Sequence, residues 1–174
     1  MLQIVQAKEA QFDEVRLFYY SVIDAMRDAE FRPGWEKDIY PSPEMLREAL
    51  QKGWLYLGYA EGSLASAMIL NHEYNESYDN YQWKTQASGK EILVIHTLGV
   101  HPDHSRRGFG KEMVGFAIDH ARALGCKAMR LDVLSGNLPA EKLYPSMGFH
   151  YLATLNMYYE DTGWTDFRLY ELVL

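Results

Sequence analysis

The sequence predicts one α/β domain, spanning residues 1–174, built on a mixed sheet with helices on both faces. Three observations carry this reading. Helical and strand patterns alternate along the chain with no repeat and no low-complexity linker. Hydrophobic residues make up 48% and aromatics 14%, enough to fill a large core. The segment EILVIHTLGV (91–100) is too apolar to be exposed on either face, as expected of a strand inside a sheet.

The elements follow in order. Residues 2–7 read as a short strand. From Ala10 to Ala29, Phe12, Val15, Phe18, Tyr19, Val22, Ile23 and Met26 recur at helical spacing. A loop containing Phe31, Pro33, Gly34, Trp35 and Tyr40 leads to Ser42, which caps a second helix with Pro43 at its first position. That helix stops before Gly53. WLYLGYA (54–60) and SLASAMILNH (63–72) are strands joined by the turn residues Glu61 and Gly62. Residues 73–90 are polar but carry Tyr74, Tyr78, Tyr81 and Trp83, and an irregular stretch that long is either mobile or functional. After EILVIHTLGV comes a helix from Phe109 to Leu124, then AMRLDVL (128–134) as a buried strand. NLPAEKLYPSMG (137–148) is a short helix closed by Gly148. FHYLATLNMYY (149–159) and FRLYELVL (167–174) are the last strands, joined by the turn EDTGWTD (160–166).

Bulk properties exclude several classes. The formal net charge of −7 argues against a general nucleic-acid binder. The single cysteine, Cys126, has no intramolecular partner, which suits a reducing compartment. No stretch approaches the ~18 apolar residues of a membrane span, and the first residues lack a signal-peptide core. The expectation is a soluble, cytoplasmic protein.

Against that acidic background, GVHPDHSRRGFGK (99–111) places two arginines, two glycines and a lysine where a helix begins. Unpaired N–H groups at a helix start favour a phosphate, and glycines let it approach the backbone. Arg106, Arg107 and Lys111 add side-chain charge. A Walker loop is excluded because Glu112 follows Gly110-Lys111, with no first glycine at the right spacing. The dinucleotide fingerprint is excluded because Met113 stands where its third glycine would be. What remains is a strand, V-x-P, a basic turn, G-x-G and a helix.

That arrangement resembles the pyrophosphate loop of the GNAT superfamily of acyl-CoA-dependent N-acyltransferases, V-x-P-x-x-[Q/R]-x-x-G-x-[G/A], at Val100, Pro102, Gly108 and Gly110. It departs at Ser105, where the family has Gln or Arg. LDVLSGNLPAEKLYPSMGF (131–149) resembles the family's later motif at Asn137, Ala140, Leu143, Tyr144, Gly148 and Phe149. The two blocks stand in the family's order and spacing. The resemblance implies a mostly antiparallel central sheet of about seven strands and acetyl transfer from acetyl-CoA to a primary amine, by direct attack in a ternary complex. It places the cosubstrate on Leu98, Gly99, Val100, Ser105, Arg106, Arg107, Gly108, Phe109, Gly110, Lys111, Asn137 and Tyr144.

Acyl transfer from a thioester needs a neutral amine, a donor for the oxyanion and a proton for the leaving thiolate. By the resemblance, Tyr144 is the general acid, and the backbone N–H groups near Leu98–Val100 serve the oxyanion and the pantetheine arm. Gly99 also hints at a bulge or a close ligand approach. Many family members carry a glutamate six residues before the valine of V-x-P, but that position is Val94. His96 points to the same face two residues on, and HTLGVH resembles the strand of arylalkylamine N-acetyltransferases. His96 is either a proton relay or a buried, hydrogen-bonded histidine. His101 and His104 lie in a loop with no third ligand, so no metal is expected.

The acceptor is a small-molecule or peptide amine. Phe31, Trp35, Tyr40, the aromatics of 74–83, Tyr158 and Tyr159 are candidate walls for it, and suit a homodimer interface nearly as well. A CoA-binding sensor without turnover, or a module for another phosphorylated ligand, are the alternative readings.

Overall fold

Seven strands form one sheet in the order β1-β2-β3-β4-β5-β7-β6, seen in a computed structural model that describes residues 1–27, 29 and 34–174. The strands are β1 (Gln3–Gln6), β2 (Leu55–Ala60), β3 (Ser63–Asn71), β4 (Ile92–Val100), β5 (Ala128–Leu134), β6 (His150–Tyr159) and β7 (Gly163–Val173). The helices are α1 (Phe12–Met26), α2 (Pro43–Gln51), α3 (Phe109–Ala123) and α4 (Leu138–Ser146). β1, β2 and β3 pair antiparallel, as do β5 with β7 and β7 with β6. β4 and β5 pair parallel, with Ile92, Leu93 and Val94 opposite Ala128, Met129 and Arg130. The expected mostly antiparallel, seven-stranded sheet is present.

The chain divides into two compact units. The first comprises Met1–Leu70 and His96–Met113. Here α1 and α2 bury Val15, Phe18, Leu46 and Leu50 against Leu55, Leu57, Ala67 and Ile69 of β2 and β3. Side chains alternate along a strand, so Gly58 faces the other way from Leu57, and there it meets the Met113 sulfur of α3. Helices therefore lie on both faces of the sheet. Ser42 caps α2 as expected, its Oγ accepting from the Met45 amide at 3.1 Å. The first helix is shorter than the predicted span of 10–29. Residues Glu9–Gln11 form a 3-10 turn because the Gln11 amide oxygen accepts from the Lys8 N–H at 3.0 Å, tightening the helix entry. Phe31 and Pro33 fall outside the described residues.

The second unit comprises Asn71–Ile95 and Val114–Leu174. Its β5-β7-β6 meander carries a cluster of Tyr78, Trp83, Met157, Phe167 and Leu169. Tyr78 and Trp83 come from the polar stretch 73–90, which carries only 3-10 turns at Glu76–Asn80 and Gly89–Glu91 and is anchored through these buried rings. Arg130 and Glu171, opposite each other on β5 and β7, form an ion pair at 2.9 Å with side chains 4% and 1% exposed. Arg130 also donates to the Thr85 carbonyl at 2.7 Å and lies over the Trp83 ring. Removing either charge would strand the other, at a cost of about 3–5 kcal/mol. β7 starts at Gly163, so Trp164–Asp166 are strand rather than turn. Tyr158 pairs with Trp164, and Asn156 Nδ2 donates to Asp166 Oδ1 at 2.9 Å; these cross-strand contacts extend the ladder past the apolar run. Among the described residues no helix is long and apolar enough to cross a membrane.

Candidate functional site

The first unit brings together His96, Leu98, Gly99, Val100 and the turn from Ser105 to Lys111, whereas Asn137 and Tyr144 belong to the second. On β4 the alternation is regular. His96, Leu98 and Val100 are half-buried, and Thr97 and Gly99 between them are buried. Thr97 adopts a φ of 51°, rare for a β-branched residue, which marks the strand irregularity. It is held there from α1. The Tyr19 hydroxyl donates to the Thr97 carbonyl at 3.0 Å and meets Thr97 Oγ1 at 3.0 Å. The distortion thus sits at Thr97 and not at the expected Gly99. At Gly99 a Cβ would rest in ordinary contact with the Phe18 ring, 3.4 Å away. The Gly99 carbonyl accepts from Ser66 Oγ at 2.7 Å.

β4 leads through a 3-10 turn at Pro102–His104 into the basic turn. Arg106 and Gly108 take left-handed conformations, with φ of 61° and 83°. Left-handed residues interspersed in a turn aim consecutive N–H groups inward. The amides of Arg107, Gly108, Phe109 and Gly110 donate to no protein acceptor among the described residues, and the first helical bonds come from Lys111 and Glu112 to the Gly108 carbonyl. A Cβ on Gly108 would meet nothing within 4 Å. Open space, four unpaired donors and the positive end of α3 fit a pyrophosphate. Phe109 anchors the turn from beneath, buried at 3% exposure.

The cations of this turn are not equivalent. Arg107 is held by Glu61, at 2.6 and 3.3 Å, and lies over the Phe109 ring. Arg106 and Lys111 are exposed and pair with no acid among the described residues. Ser105, also exposed, closes the preceding 3-10 turn through its N–H to the Pro102 carbonyl. His104 touches Ser63 Oγ and Arg107, and His101 Nδ1 accepts from the Asp103 amide. Both histidines of the sequence pair therefore have protein partners, and no group of three metal-ligating side chains forms among the described residues. No local pattern signals the Glu61 clasp, because the two residues lie 46 positions apart.

In the second unit, Asn137 caps α4, its Oδ1 accepting from the Ala140 amide at 3.2 Å. Its side chain is therefore committed to the helix start at the oxygen, with the amide nitrogen left over. Tyr144, about two turns on, is 7% exposed and packs edge-on against Phe149. Its hydroxyl has no hydrogen-bond partner among the described residues. Burial, with the Asp132 charge adding to it, pushes this phenol well above the ordinary tyrosine range. A phenol so placed stays protonated and has a proton to give.

Asp132 is the residue that sequence reasoning passed over. Its Oδ2 accepts from the Tyr78 and Tyr159 hydroxyls, both at 2.7 Å. Burial pushes the carboxyl up from the ordinary carboxylate range, against the two tyrosine donors. The signal was available as a lone acid inside the apolar AMRLDVL. Tyr78 and Trp83, at 1% and 8% exposure, are core residues and not open pocket walls. In the first unit, Trp35 packs between Tyr19 and Tyr40 and lines a cavity of about 420 Å³ with Ile23, Met26 and Lys37.

The sequence pattern of the acetyltransferase (GNAT) family matches residues 20–149. An L-amino acid N-acyltransferase, MnaT, from Escherichia coli is 30% identical over 117 residues, covering 64% of this chain and 67% of that protein. Among solved structures, a GNAT-family acetyltransferase from Streptococcus agalactiae superposes with a TM-score of 0.83 at 17% identity, covering 99% of this chain and 95% of that one. The yncA protein of Salmonella typhimurium, solved with its cofactor acetyl-CoA, superposes with a TM-score of 0.68 at 18% identity, covering 100% and 94%.

Proposed function

Because the chain belongs to the GNAT family of acetyltransferases, we propose that it acts as one N-acetyltransferase domain over residues 1–174. It moves an acetyl group from acetyl-CoA to a primary amine of a small molecule or peptide, by direct attack in a ternary complex. The observation that carries the cosubstrate half is the row of unpaired amides from Arg107 to Gly110 at the start of α3, beside Arg106 and Lys111. Acetyl-CoA supplies the activated thioester. The turn from Ser105 to Lys111 binds its pyrophosphate, and the backbone of Leu98, Gly99 and Val100 orients its pantetheine arm and meets the developing oxyanion. Asn137 contributes its free amide nitrogen. Tyr144 gives its proton to the departing thiolate. His96 takes the proton from the attacking amine, directly or through water.

We further propose a cytoplasmic location, supported by the single, buried and unpaired Cys126. A homodimer contact is proposed at Tyr158 and Trp164, whose paired rings remain 52% and 70% exposed.

The test is acetyl-CoA-dependent thermal stabilisation together with thiol release across an amine panel. Gly110→Asp sets a carboxylate where the pyrophosphate approaches. It should abolish the stabilisation while the unliganded protein keeps its melting temperature. Native CoA affinity in Gly110→Asp would remove the turn from the site. Stabilisation without thiol release for any amine would make the chain a CoA sensor.

A further inference from the structure

The second unit contains a carboxylate that the steps above do not use. Asp132 lies on the half-buried face of β5. Both tyrosine hydroxyls that reach it, from Tyr78 and Tyr159, donate to Oδ2. Asp132 is half-buried, and its Oδ1 accepts nothing among the described residues. A carboxylate with one oxygen satisfied twice and the other open is a binding pole for a cation.

Its surroundings have a definite sign. The two arginines nearest in sequence on this sheet are committed elsewhere. Arg130 is bound to Glu171 and the Thr85 carbonyl, and Arg168 to Glu141 at 3.0 Å. Asp161 adds negative charge to the field at Asp132. Aromatic rings stand beside it, with Tyr78 stacked on Tyr74 at 5.4 Å and Tyr159 against Phe167 at 4.9 Å. Tyr144 is close enough to feel the Asp132 charge. So the open carboxylate oxygen lies within electrostatic reach of the hydroxyl assigned to the leaving thiolate.

We infer that Asp132 receives the acceptor's ammonium group, and that the acceptor is a primary amine with no carboxylate on the carbon beside the nitrogen. This rests on the acetyl-transfer reading. An α-amino acid would bring its own carboxylate beside the like charge of Asp132, where the two arginines of this sheet are already bound to Glu171 and Glu141. A decarboxylated amine brings only the charge that the site attracts.

The experiment uses the full chain, saturating acetyl-CoA and matched pairs: tyramine with L-tyrosine, tryptamine with L-tryptophan, isoamylamine with L-leucine. The amine of at least one pair should exceed its amino acid in kcat/KM by roughly 10- to 100-fold. In Asp132→Asn, which keeps an acceptor oxygen for the two tyrosines, KM for that amine should rise roughly tenfold. Acetyl-CoA stabilisation should be unchanged and the selectivity within the pair should narrow. Preference for the amino acid in every pair, or turnover of no amine, overturns the inference, and this arm needs no variant to fold. An Asp132→Asn protein with native KM and native selectivity overturns it as well. Loss of acetyl-CoA stabilisation in the unmodified protein is a separate result: it overturns the acetyl-transfer reading itself.

Discussion

Arg107 forks onto Glu61, with Nη2 2.6 Å from Oε1 and Nη1 3.3 Å from Oε2, whereas its neighbour Arg106 is matched to no acid among the described residues. Two adjacent arginines in one basic turn therefore have different work. Glu61 neutralises one and ties the turn to the β2–β3 hairpin; the other carries its charge with no acid partner among the described residues.

Charge reversal should separate them. Arg106→Glu is expected to raise the acetyl-CoA KM by roughly tenfold at low salt, with the amine KM nearly unchanged. The effect should shrink as salt screens the exposed charge, over a Debye length of ~8 Å at physiological ionic strength. Arg107→Glu should act mainly on the turn, lowering the melting temperature modestly, since solvent screens an exposed pair. Equal effects of the two reversals on the acetyl-CoA KM would refute the division.

Tyr144→Phe removes one hydroxyl from a buried ring that packs on Phe149. Turnover should fall by roughly 10²–10⁴ with CoA affinity kept, the pattern of an interaction made only in the transition state. Burial raises this phenol, so its proton is retained as pH rises past the ordinary tyrosine value. The native kcat profile should accordingly show no decline from Tyr144 up to about pH 10. Unchanged turnover in the variant would leave Tyr144 as packing alone.

His96 is tested by the other limb. A base must be unprotonated, so activity carried by it declines as pH falls through its pKa. His96→Ala should lose that acid-side limb and keep CoA affinity. An identical limb in the variant would show that another group takes the proton.

Much of this was legible in the residues. Period and turn chemistry located seven strands and four helices, because apolar alternation, the Ser42 cap and the glycines after α2 and α4 act locally. Glycine and charge spacing located the turn at 105–111 for the same reason. The misplacements have a common origin in long-range contacts. The β6–β7 ladder runs into Trp164–Asp166 through pairs that only the closed hairpin creates. The strand distortion falls on Thr97 because Tyr19, 78 residues away, holds it. The Arg107–Glu61 pair, which joins the basic turn to the β2–β3 hairpin, has no local signal either. Asp132 stood in plain view as the lone acid of a buried strand, but its meaning depends on two tyrosines from distant segments.

The Tyr19–Thr97 contact gives a stability prediction. Tyr19→Phe deletes a buried hydroxyl that donates to a strand carbonyl and leaves Thr97 in its left-handed conformation with nothing holding it. Losing this buried hydrogen bond should cost about 0.5–1.5 kcal/mol. Denaturant unfolding measures it. Thr97→Gly, which relaxes the positive φ, should recover part of that loss in the Tyr19→Phe background. No recovery would mean that the strain is not what Tyr19 restrains.

Asp38 supplies the pH dependence. It accepts two hydrogen bonds from Arg16, both at 2.8 Å, and a third from the Tyr20 hydroxyl, tying the segment 34–41 to α1. Arg16 first, then Tyr20, lowers its carboxyl from the ordinary value to about 2. A depressed folded-state pKa means that the unfolded chain takes up the proton first. The stabilisation is therefore complete above the unfolded value near 4, and is lost as pH falls from there toward about 2. Asp38 is solvent-exposed, so the effect should be small and should weaken with salt. Asp38→Asn should lower the melting temperature at neutral pH and flatten its decline between pH 4 and pH 2. A variant whose acid decline parallels that of the native protein would place the acid-sensitive carboxylate elsewhere.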